Sequence, residues 1–149
     1  MDTATYKAAN RARVALTHGG KTFVIVGESK LLHYSDEHGL NPLLNLLESD
    51  PSQLKDAIVG DRIVGRAAAL LCIAGQVKAV FALYIADEAI ELFDKYGILV
   101  TWGETVPYIV EKDLTSRYKL DLLLKDVEDP QMAADQIRKY LKEHQAEVE

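Results

Sequence analysis

The sequence predicts a single α/β domain, and three observations carry that expectation. Apolar residues make up 48% and charged residues 27% of 149 positions, with only 9 glycines and 4 prolines, a balance that builds a packed core rather than a low-complexity chain. Capping residues and glycines divide the chain into alternating helical and extended segments. Finally, residues 77–101 read as strand, helix and strand, the signature of a parallel pair joined by a right-handed crossover. A chain this long buries about two thirds of its extended surface, so its core needs no covalent staple.

Residues 3–17 form the first expected helix, where Asp2 or Thr3 accepts the first free amide hydrogens and five alanines supply helix propensity. His18-Gly19-Gly20 ends it. Thr22-Phe23-Val24-Ile25-Val26 is β-branched and aromatic and reads as a strand; residues 30–34 return antiparallel after the turn at Gly27-Glu28-Ser29. Asn41-Pro42 opens a short leucine-rich helix with Asn as cap and Pro in the first turn.

Residues 57–59 suit a short strand, Gly60-Asp61-Arg62 a break, and residues 63–74 a buried helix of small and aliphatic side chains. On this reading Asp61 caps that helix. Residues 77–85 are apolar on both faces, as expected of a strand covered from two sides. Asp87 starts the crossover helix, which stops at Gly97, and residues 98–101 form the next strand. Residues 102–125 fit no single pattern, although Pro107 pushes Val106 into extended backbone. Asp129-Pro130 caps a terminal helix over residues 130–145. One domain over residues 1–149, with the first and terminal helices packed on it, is the resulting organisation.

Charge narrows the function classes. The formal net charge is −6 and the pI is near 5.2. No dense Lys/Arg stripe is present, which argues against double-stranded nucleic acid and anionic membranes as partners. Cys72 is the single cysteine, so no intrachain disulfide exists and a reducing cytoplasm is expected. No apolar stretch reaches the roughly 20 residues that span a bilayer. Paired-cysteine zinc spacing, the His-Glu-x-x-His helix, the phosphate loop and the dinucleotide glycine fingerprint are all missing from the sequence. No metal and no cofactor is expected.

Five residues remain as candidates for a ligand site: Asp61, Gly65, Arg66, Asp87 and Glu88. If Asp61 and Asp87 begin helices after neighbouring parallel strands, both line one crevice at the strand ends, where open α/β sheets bind ligands. Arg66 then offers a guanidinium to a phosphate or carboxylate. Simple helix capping, the reading favoured for these carboxylates, explains Asp61, Asp87 and Glu88 without catalysis, because acidic groups favour helix N-termini.

The run Val59-Gly60-Asp61-Arg62-Ile63-Val64-Gly65-Arg66-Ala67-Ala68-Ala69-Leu70-Leu71, with Ala86-Asp87-Glu88-Ala89, Tyr96-Gly97-Ile98 and Val106-Pro107-Tyr108-Ile109, resembles a prokaryotic family, domain-of-unknown-function family 1893. The resemblance spans residues 22–140 and implies a three-layer α/β/α mixed sheet of the cytidine-deaminase-like fold. Zinc deaminases of that fold carry a His or Cys two residues before a Glu at one helix start, and two cysteines three apart at the next. Here those regions read Asp61-Arg62-Ile63-Val64-Gly65-Arg66 and Ala86-Asp87-Glu88-Ala89-Ile90, without that ligand set. The expectation is a zinc-free deaminase-like domain binding a small, nucleotide-like ligand. A metal-independent enzyme moving protons with Asp61 and Asp87 is one alternative; a non-catalytic interaction protein acting as a homodimer is another.

Overall fold

The computed structural model describes residues 2–27, 29–111, 113 and 116–144. Helix α1 (Thr3–His18) is followed by the hairpin β1 (Phe23–Val26) and β2 (Leu31–Ser35), then α2 (Asn41–Ser49) and a 3-10 turn at Pro51–Gln53. Two strand–helix units come next: β3 (Ile58–Val64) with α3 (Arg66–Ala74), and β4 (Ala79–Ala86) with α4 (Asp87–Lys95). Strand β5 (Leu99–Val106), α5 (Lys119–Leu123) and α6 (Pro130–Glu143) follow among the described residues.

The five strands among the described residues lie in the order β2-β1-β3-β4-β5. Strand β1 is antiparallel to β2 and β3, while β3, β4 and β5 run parallel. The sheet is therefore mixed, with helices on both faces. On one face α1 packs Ala8, Ala12 and Leu16 against Val24, Val26 and Phe81. On the other, α3 is the centre of a larger core that includes Phe23, Val59, Val80, Phe93 and Ile137. Every residue of α3 from Arg66 to Ile73 is buried, as its alanine-rich sequence requires. Leu70 and Leu71 are wholly buried, and each contributes about 1.5–3 kcal/mol of transfer free energy. This three-layer α/β/α arrangement is the one the resemblance implied.

Two caps follow the local sequence rules: Asp2 Oδ1 accepts from the Thr5 amide at 2.7 Å, and Asp129 Oδ1 from the Met132 amide at 2.9 Å. At the second helix the cap position belongs to Leu40, which makes no side-chain bond; Asn41 is already helical.

The segment around Asp61 departs from the expectation. Gly60-Asp61-Arg62 is no break, and Asp61 caps no helix. Strand β3 runs unbroken from Ile58 to Val64, and α3 starts at Arg66 with Gly65 as its N-cap. Gly60 serves packing instead: a Cβ there would lie 2.8 Å from both Ala12 Cβ and Val24 Cγ2. Its missing side chain lets α1 settle on the sheet, a need invisible in the local pattern. Strand β5 is also longer than expected, reaching Val106.

Candidate functional site

Parallel pairing fixes where the helices begin. Strands β3 and β4 keep one register throughout, from Ile58 opposite Ala79 to Val64 opposite Ile85. Helix α3 starts two residues after Val64 and α4 two residues after Ile85, so both open at the same end of the sheet. Gly65, Arg66, Asp87 and Glu88 share that end. Asp61 lies farther back, paired with Ala82 in the body of the sheet. At about 3.3 Å per residue, the four steps from Ala82 to Ala86 place Asp61 roughly 13 Å behind Ala86, the residue before α4 begins. That spacing keeps Asp61 and Asp87 from sharing a proton directly.

Asp87 is exposed and Glu88 half-buried, and both occupy the first turn of α4 without side-chain caps. Their charge complements the positive end of the helix. Arg66 is turned inward. It is 8% exposed; its Nε donates to Leu124 O and its Nη2 to Val127 O, each at 2.6 Å. The guanidinium thus ties the start of α3 to the connection between α5 and α6, and its two bonded donors point to backbone carbonyls.

The acid that reaches the start of α3 is Asp121, from α5. It is 7% exposed. Its Oδ1 accepts from the Ala67 amide at 2.8 Å, capping α3 from a distant part of the chain. Its Oδ2 is buried without a hydrogen-bond partner. Gly65 makes this approach feasible: a Cβ there would collide with Asp121 Oδ2 and would lie 2.8 Å from Ile109 Cγ1. Ile109 belongs to a reversal in which the Tyr118 amide donates to Ile109 O at 2.9 Å and Val110 bridges Arg117. Glu111 Oε1 accepts from the Lys119 amide at 2.7 Å, fixing the start of α5, and the Arg117 guanidinium lies 4.7 Å from the Tyr108 ring centroid.

Burial dominates the electrostatics. It pushes the Asp61 carboxyl up to about 8, against the pull of the Arg62 and Ile63 backbone amides. It lifts Asp121 to about 6; the Ala67 amide opposes the rise, Glu88 adds to it by like charge, and the Arg66 amide and Arg117 oppose it. The Tyr118 hydroxyl is raised by burial and then by the negative charge of Asp121, Glu111 and Asp61. Burial also raises the Cys72 thiol, with Asp61 adding to it, so this buried cysteine serves packing rather than chemistry. Near neutral pH Asp61 is therefore protonated and Asp121 ionised.

Asp121 is not among the five candidates that the sequence offers. The available signal was a single acid inside the run Leu120-Asp121-Leu122-Leu123-Leu124, where a charge is costly unless it has a buried task. Among the described residues no group of three or more His, Cys, Asp or Glu side chains is placed to hold a metal ion. No helix among them is long and apolar enough to cross a membrane. An open groove of about 410 Å³ lies elsewhere, between α1 and the start of β2, lined by Tyr6, Lys7, Asn10, Arg11, Val14 and Leu31. Its charged lining is basic only, Lys7 and Arg11, with no carboxylate among the lining residues, so the helix-start region is the better candidate for paired acid–base chemistry.

Residues 11–141 match the sequence model described as "TM1506: Domain of unknown function (DUF1893)". Among solved structures, the DUF1893 family protein TM1506 from Thermotoga maritima is 23% identical, with 88% of this chain aligned to 90% of that one at a TM-score of 0.78. That likeness establishes a shared fold. RibD from Acinetobacter baumannii aligns with 66% of this chain and 34% of its own length, at 18% identity and a TM-score of 0.42, too low to carry an argument. No curated protein matches the chain. With nearly the whole domain covered by the family's sequence pattern and the fold shared with a second member, this chain belongs to the DUF1893 family.

Proposed function

We propose that this protein is a zinc-free, cytidine-deaminase-like domain that binds a small, nucleotide-like ligand at the C-terminal ends of β3 and β4. The observation that carries the reading is the parallel register that opens α3 and α4 side by side, because ligands of open α/β sheets settle in such crevices. Gly65, Asp87 and Glu88 line the mouth in this reading, with Asp61 deeper and Asp121 added from α5. Arg66 acts as a positioning residue, holding residues 124–127 beside the site through its carbonyl bonds. The helix starts read Gly65-Arg66-Ala67 and Asp87-Glu88-Ala89, and neither supplies the His and Cys ligands with which zinc deaminases activate water.

The test is an NMR titration of the labelled protein with nucleosides and nucleotides, repeated on Glu88→Gln. Binding should move the amide signals of residues 65–67 and 87–88. The variant should bind about tenfold more weakly, a loss near 1.4 kcal/mol. A full nucleoside panel that leaves those signals in place removes the reading.

A second reading, a homodimer through β5, rests on one observation. The sheet ends at β5 among the described residues, and this eight-residue strand leaves Leu99 and Trp102 exposed, an edge open to pairing with a second copy. Sedimentation equilibrium should then give twice the chain mass, and Thr101→Pro should return it to the monomer. A wild-type chain that sediments as a monomer at its highest soluble concentration eliminates the dimer.

A further inference from the structure

We propose that the start of α3 takes a ligand group that donates hydrogen bonds, an amino or amidine nitrogen, and that Asp121 Oδ2 is its acceptor. The inference rests on the ligand-binding reading above and narrows it to one chemical class. A bare helix N-terminus favours anions, because its free amides and dipole present positive charge. This one is already served: Asp121 Oδ1 takes the Ala67 amide, so an arriving phosphate or carboxylate would meet a carboxylate in its place.

What lacks a partner is an acceptor. Asp121 Oδ2 is buried and makes no hydrogen bond, and leaving such a group unsatisfied carries its full desolvation penalty, larger when it is charged. An N–H supplied by a ligand would recover that cost. The surrounding charges agree with this assignment. Glu88 from α4 adds negative charge at Asp121, and Arg117 offers the opposing positive charge. Glu111 acts on the neighbouring Tyr118, Asp61 from β3 is uncharged near neutral pH, and the Arg66 donors Nε and Nη2 face Leu124 and Val127. Ile109 Cγ1 lies over the same spot beside Gly65, so entry moves that side chain aside. No bond is made or broken, and binding needs no co-reactant.

Benzamidine and benzoate test the assignment, since they share a ring and a size but exchange donor for acceptor. With the intact protein near neutral pH, benzamidine should shift the amide signals of residues 65–67 and raise the melting temperature, and benzoate should do neither. Asp121→Asn should weaken benzamidine at least tenfold. Acidification from about pH 7.5 to pH 5 should weaken it too, because a protonated Asp121 no longer offers an anionic acceptor. Benzoate or inorganic phosphate moving those signals more than benzamidine overturns the donor class while leaving a ligand site in place. If nucleosides and all three probes leave them unmoved, the ligand-binding reading itself falls. Should Asp121→Asn lose its far-ultraviolet circular dichroism, the pH series on the wild type decides, and undiminished benzamidine binding at low pH overturns the proposal.

Discussion

Asp61 and Asp121 are chemically identical side chains that the fold holds in different protonation states near neutral pH. Burial raises both, but Asp121 keeps the Ala67 amide on one oxygen and settles near 6, whereas Asp61 rises to about 8. The direction of the stability effect follows from these values. Each carboxyl is easier to protonate in the folded chain than in the unfolded chain, where it titrates near 3.8. The stabilisation linked to the protonated form is complete below about pH 4. It is lost as pH rises toward about 6 for Asp121 and toward about 8 for Asp61. Urea unfolding at pH 5 and pH 8.5 checks this: the wild type should be less stable at the higher pH. Asp61→Asn should remove roughly 1–3 kcal/mol of that fall, after allowance for water reaching a half-buried group. A wild type that gains stability across this window contradicts the assignment for Asp61.

At the scale of elements, the clearest lesson comes from β3. Gly60 and Asp61 are turn-forming residues by preference, and their neighbours Ile58, Val59, Ile63 and Val64 are β-branched. Local preference is divided, and pairing with β1 and β4 on both sides decides for strand. Gly60→Val tests the packing account. Its Cβ alone would crowd Ala12 and Val24 within 2.8 Å, so the variant should lose about 1–3 kcal/mol in urea unfolding as α1 is pushed off the sheet. An unchanged midpoint would mean that α1 packs without needing the glycine. The helix starts behave differently. At Asp2 and Asp129 the bond spans three residues, so the sequence rule alone locates them. The start of α3 has no local cap and takes its acid from Asp121, 54 residues away.

At the scale of the whole molecule, the sheet separates two apolar clusters, a small one under α1 and a large one around α3. The sequence shows this division in outline: the alanine-rich first helix, the helix of small and aliphatic side chains after β3 and the strand–helix–strand unit of residues 77–101 are each legible. Candidate-site residues were legible in part. Gly65, Asp87 and Glu88 gather at one end because parallel strands with matched lengths deliver their helices together. Asp61 lies deeper, and Arg66 spends two of its donors on carbonyls 58 and 61 residues away.

The amino-acid sequence by itself determined the α/β class, most helix ends, the acidic balance and the lack of an intrachain disulfide, because these depend on composition and on neighbours within one turn. Only the tertiary structure decided that Asp61 belongs to a strand, that Arg66 serves as a tie, and that Asp121 occupies the start of α3. Those outcomes depend on partners more than 50 residues apart, which meet only when burial of the apolar faces brings the end of β3 and the α5 region together.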